Sequence, residues 1–300
     1  SNLYAVASGS SSAPITVAHL AALGVTGVTS ANLADIVAAL AATADDGSGI
    51  NTVAEVQSLV DSVKAASVTA IVSATAISSV TPPTQAAFAA AGVSGVTGSN
   101  VSTLNTILAA LPNGSKDSTV EIQTVVNSLS LVLAQASRVG SVGVTPVASN
   151  YAALGATTAA ALSTSGISLL NNLLTYKSTS AFDSPAELNA LAASVSIIQT
   201  SANSATLDDF ASLGLRGVTS SNLATIQALV SAASIGAKDS LGEIQLLIDK
   251  AATVEAATSF ANAVAGAPAV MAPTVQNFVA LGVTGVSGSN VSTLNSAIRS

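Results

Sequence analysis

After Asn32 the apolar residues fall at Leu33, Ile36, Val37 and Leu40, and the same phase returns at Val101, Leu104, Ile107, Leu108 and Leu111 and at Leu223, Ile226, Leu229 and Val230. Steps of three and four put each set on one stripe of a helix, with Ala, Ser, Thr and Asn left for the other faces. A longer run with this spacing follows the first set at Val53, Val56, Val60 and Val63, and the last at Ile244, Leu247, Ile248, Ala251 and Val254. It predicts a long helix. A short helix precedes each stripe, as in TVAHLAALG and TLDDFASLG, where Thr supplies an N-cap and Gly can take the left-handed conformation that ends the helix.

These elements recur. The motif LGVTGVTSANLADIVAAL from Leu23 returns in altered form from Ala91, Leu154, Leu213 and Leu281, and its leading glycines are Gly24, Gly92, Gly155, Gly214 and Gly282. The spacings are 68, 63, 59 and 68 residues, the period of a helical array. The connection GVTG or GVSG, with Gly27, Gly95, Gly217 and Gly285, turns the chain before the second helix; the third copy lacks it. Each of the first four copies is followed by a capping box, Thr52–Glu55, Ser118–Glu121, Ser184–Glu187 and Ser240–Glu243, which starts the long third helix.

The expected fold is therefore all-α: tandem three-helix repeats of about 65 residues, forming a solenoid or a string of small bundles. An N-terminal extension (1–15) precedes repeats at 16–82, 83–146, 147–204 (degenerate), 205–271 and a partial copy at 272–300, with Pro82, Pro83, Pro146, Pro268 and Pro273 near the seams. Strings such as GVTGVTGSNVSTL also resemble rungs of a β-solenoid, but the helical periods and capping boxes argue against strands. The fifth copy stops after its second helix, so its apolar face is expected to be completed by further chain or by a neighbouring molecule.

Composition narrows the function. Apolar residues make up 49% of the 300 and charged residues 8%, which gives ample core and argues against disorder. A net charge of −7 with eight scattered Lys and Arg does not suit a phosphate backbone, so no nucleic-acid partner is expected. The absence of Cys removes disulfides and thiolate metal sites. Residues 65–115 carry no charge, yet Pro82, Pro83, glycines and many hydroxyl side chains interrupt them, so no transmembrane segment is expected. No signal peptide is apparent.

The succession TVQNFVALGVTGVSGSNVSTLN, together with the capped TVAEVQSLVD, resembles the alanine-rich helical repeats found in tandem in large secreted bacterial surface proteins, including adhesins and surface-layer-like proteins. The resemblance covers the chain after about residue 15. It implies export to the cell surface, attachment to the cell envelope, and repeats used as length or lattice material.

Candidate chemistry is sparse. Asp45 and Asp46, in the loop Asp-Asp-Gly-Ser-Gly, could give oxygens to a calcium ion. The equivalent loops read NGSKDS and GAKDS, where a Lys takes part of the space, so a repeated calcium loop is not supported. His19, the single histidine, has no companion ligands or triad partners in the sequence and sits at a first-turn position matched by Asp209 and Asn277. Asp208 and Asp209 suit the positive end of a helix dipole. Sequons occur at Asn100, Asn113 and Asn290. No catalytic or cofactor-binding residues are assigned. The neutral outer faces expected of so few charges favour self-association into a filament or lattice. The expectation is thus a non-catalytic extracellular structural protein, or the stalk of a large adhesin with a role in attachment or biofilm formation.

Overall fold

The structure, a computed structural model, describes residues 5, 14–43, 50–76, 81–136, 143–265 and 272–299. Among these residues helix is the regular secondary structure and no strand is present. The chain divides into two compact units, residues 1–157 with 179–187, and residues 158–178 with 188–300. The division passes through the third copy of the motif.

In the first unit α1 (Val17–Ala22), α2 (Leu33–Ala41) and α3 (Val53–Ala76) are followed by α4 (Gln85–Ala90), α5 (Val101–Ala110), α6 (Thr119–Ala136) and α7 (Ala148–Ala153). The chain continues with α8 (Thr157–Ala160), α9 (Thr164–Leu174) and α10 (Pro185–Thr200). The second unit then adds α11 (Leu207–Ser212), α12 (Leu223–Ala232), α13 (Leu241–Val264), α14 (Val275–Ala280) and α15 (Val291–Arg299).

Local chemistry sets these boundaries. The hydroxyls of Thr16, Thr84, Thr206 and Thr274 accept from the backbone N–H three residues on, starting α1, α4, α11 and α14. Gly24, Gly92, Gly214 and Gly282 end those helices with φ between +76° and +86°, a region a side chain would resist. All four capping boxes form: in the first, Thr52 N–H donates to Glu55 at 2.8 Å while Glu55 N–H donates to the Thr52 hydroxyl at 3.2 Å.

The apolar stripes meet as their spacing requires. Leu20, Ile36, Leu40, Val56 and Val60 form one buried cluster with Ile15 and Val25. Burial on α3 continues beyond that cluster through Val68, Ile71 and Thr75, because α3 packs against α2 and also against α4, α5 and α6. In the second unit α13 packs on α12 and equally on α14, and less extensively on α15, with Phe260 edge-on to Phe278 at 6.1 Å. By length and composition α3 could cross a membrane, but it also carries this buried face.

Tyr151, on α7, is fully buried, and burial pushes its phenol above the ordinary tyrosine value. A folded value raised in this way contributes stability that is present below the ordinary pKa of about 10 and is lost as pH rises through the folded value. Phenolate absorbance, compared between the wild-type chain and Tyr151→Phe, is expected to show Tyr151 ionising only together with unfolding. Ionisation in the still-helical protein near pH ~10 would contradict this burial.

Candidate interaction surfaces

Among the described residues, the loop between the short and second helices carries a recurring network of polar contacts. Its turn glycines, Gly27, Gly95, Gly217 and Gly285, have φ between +79° and +82°. The Asn that begins the second helix does not cap it but reaches backwards: Asn32 Oδ1 accepts from Thr29 N–H at 2.7 Å, and Nδ2 donates to Gly27 O at 3.0 Å. Asn100, Asn222 and Asn290 repeat both bonds. Asn32 adds a third, from Nδ2 to Ala90 O on α4 at 3.1 Å.

A second clamp comes from the long helix. The amide of Gln57 accepts from Thr26 N–H at 2.8 Å and donates to Thr26 O at 3.2 Å, engaging both backbone groups of one loop residue. Gln123 treats Ser94 in the same way, and Gln245 treats Arg216. In the third copy Asn189 accepts from Thr158 N–H at 2.8 Å, at a place where α8 replaces the glycine turn. These residues were legible as an extension of the capping box, since Gln or Asn stands two positions after the Glu in all four copies.

Two lysines also escaped the sequence reading. Lys116 and Lys238 do not share the solvated loop: they are 1% and 4% exposed. The Lys116 ammonium donates to Leu108 O and, at 3.2 Å, to the Thr75 hydroxyl, while that of Lys238 donates to Val230 O at 3.1 Å. Both satisfy carbonyls in the last turn of α5 or α12 that lack helical partners. Burial holds both below the usual lysine value. The equivalent position, two before the box, is Ile50 in the first copy, packed against the core, and the buried Phe182 in the third.

Asp45 and Asp46 lie outside the described residues, so the calcium expectation has no geometry here. Among the described residues no group of three or more His, Asp or Glu is placed to hold a metal. His19 is exposed on α1, its N–H on the Thr16 hydroxyl at 3.2 Å. Asp209 closes a capping box with Thr206; burial opposes its charge, but bonds from Thr206 N–H, the Thr206 hydroxyl and the Ser194 hydroxyl hold its carboxyl below the usual range. Asp208 shares that first turn. Of the sequons, Asn100 and Asn290 have their amides committed to the loop, and Asn113 is exposed in a 3₁₀ turn.

In the second unit a cleft of about 450 Å³ lies beside Tyr176, Lys177, Leu213, Arg216 and Leu241. Lys177 donates to Ser212 O at 2.6 Å, and Tyr176 is exposed. In the first unit Lys64 occupies the corresponding ground, its Cε 2.8 Å from where a Cβ on Gly92 would stand. A groove of about 670 Å³, bordered by Pro273, Thr274, Val291 and Asn295, has no titratable side chain in its lining. Elsewhere the described surface shows one ion pair, Lys64 to Asp61 at 3.9 Å, and separate exposed apolar side chains such as Val53, Val120 and Leu246.

Comparison of the chain with protein-family models, with curated proteins and with solved structures finds no match.

Proposed function

We propose that the protein is a non-catalytic extracellular structural protein, built of tandem three-helix repeats of about 65 residues, that assembles through repeated neutral helical surfaces into a cell-surface layer or filament. The observation that carries this reading is the double role of the long helix. α3 packs on the helix before it and on the short and second helices after it, and α13 does the same in the other unit. Within each unit that arrangement supports neighbouring repeats sharing their long helix over independent bundles, and repeats so joined offer one kind of surface more than once. With so few charges, such a surface lacks the repulsion that keeps monomers apart.

Negative-stain electron microscopy of the purified chain over a concentration series, with calcium and with chelator, tests the proposal. Sheets or filaments are expected as concentration rises. Their loss on chelation would assign a cation to assembly, with Asp45 and Asp46 the first residues to substitute. Dispersed single particles under every condition would overturn self-assembly and leave the second reading, a spacer in a large adhesin, which the sharing of long helices between neighbouring repeats also supports.

A further inference from the structure

The cleft of about 450 Å³ in the second unit gathers side chains that this protein uses rarely. Two of its eight basic residues, Lys177 and Arg216, line it beside Tyr176. Tyr176 is 72% exposed, whereas the other aromatic side chains among the described residues are buried or half-buried. Leu213 and Leu241 give the cleft an apolar side, and no Asp or Glu is in its lining. On α13, Glu243 accepts from Ser240 and Asp239 N–H at 3.1 and 3.2 Å, and Asp249 accepts from Gln245 Nε2 at 2.9 Å. The volume lies within the ~300–1,000 Å³ of small-molecule sites.

The cleft is held in shape by its own bonds, which lowers the cost of binding. Gln245 fixes both backbone groups of Arg216 at 3.0 and 3.1 Å, Lys177 is anchored on Ser212 O at 2.6 Å, and Leu241 N–H donates to Asn172 Oδ1 at 2.9 Å. Among the described residues no hydrogen bond or ion pair takes up the Arg216 guanidinium, and an ammonium with three donors keeps two after its bond to Ser212. The other copies lack this combination. Lys64 fills the space beside Gly92, and Leu111 that beside Gly155, whereas nothing stands within 4 Å of a Cβ on Gly214. Gly24 and Gly282 are as open, but Thr26 and Thr284 stand there in place of Arg216.

We infer that this cleft binds an acidic saccharide, a sugar unit that carries a carboxylate. The Arg216 guanidinium would take the carboxylate through paired N–H bonds, the Lys177 ammonium would add a second charge, and the Tyr176 ring would meet the C–H face of the sugar. An inorganic anion would use the two cations and leave Tyr176 and the leucines idle; a uronic acid uses all of them. The inference goes beyond the assembly reading and does not rest on it, since such a site would serve a layer or a spacer alike.

The test is isothermal titration calorimetry of the full chain with trigalacturonate, its methyl ester, triglutamate and inorganic phosphate. Saturable binding of trigalacturonate is expected, with the neutral ester, the peptide and phosphate each at least about tenfold weaker. Arg216→Gln and Tyr176→Ala are each expected to weaken trigalacturonate about tenfold while keeping the helical circular dichroism, because both side chains are exposed and Gln245 holds only the backbone of residue 216. Absence of saturable binding, equal affinity for the ester, or binding that either substitution leaves unchanged would overturn the inference. Equal affinity for triglutamate or for phosphate would overturn it too, by showing a site for carboxylates or anions at large.

Discussion

Alanine in place of Asn32 is expected to lower stability by about 3–4 kcal/mol, from the loss of roughly 1 kcal/mol per bond and the burial of backbone groups left without partners. The side chain is fully buried and serves Thr29 N–H, Gly27 O and Ala90 O together. The last bond reaches a residue 58 positions away, so the loss would fall on the packing of α4 as well as on one turn. Asn290→Ala is the internal control. It removes two bonds of the same kind at an exposed position, where water replaces them, and should cost under about 1 kcal/mol. Urea denaturation would rank the two, and equal midpoint shifts would contradict the assignment of Asn32 as a tertiary staple.

Lys116→Ala is expected to cost about 3 kcal/mol, because it empties a buried space and strips donors from Leu108 O and the Thr75 hydroxyl. Lys116→Met keeps most of the packing and should cost about half as much. The pH dependence separates charge from shape. The folded value lies below the ordinary one, so between the two the unfolded chain binds more protons and stability rises with pH. That rise, on approaching pH ~10, should diminish in Lys116→Met and vanish when Lys238→Met is added. An undiminished rise in the double variant would show that neither buried ammonium causes it.

The sequence was most legible where structure is local. Helical phase, the Thr caps, the capping boxes and the glycine turns each depend on contacts within a few residues, and each stands where the pattern put it. Less legible were polar residues whose partners lie outside their own element. Lys116 stands in the loop beside Asp117 and Ser118, yet its stem shares a position with Ile50 and Phe182, and only alignment of the copies reveals an inward-facing site. Asn32, Asn100 and Asn290 read as helix starts or sequons because their acceptors lie upstream, across the turn. The third copy misled for another reason: without GVTG, nothing in the letters announced that Thr157–Ala160 would form a helical turn in its place.

The amide clamps recognise a peptide unit whatever side chain it carries, although the hydroxyls of Thr26 and Ser94 add a bond to the same Gln oxygen at 3.3 and 3.2 Å. Thr26, Ser94 and Arg216 differ in size and charge, yet Gln57, Gln123 and Gln245 hold them by the same two bonds. Each of these turns therefore carries one exposed residue that is held chiefly by its backbone. Such positions can diversify from copy to copy at little cost to the fold, and each gives its own turn a place on which to write surface identity.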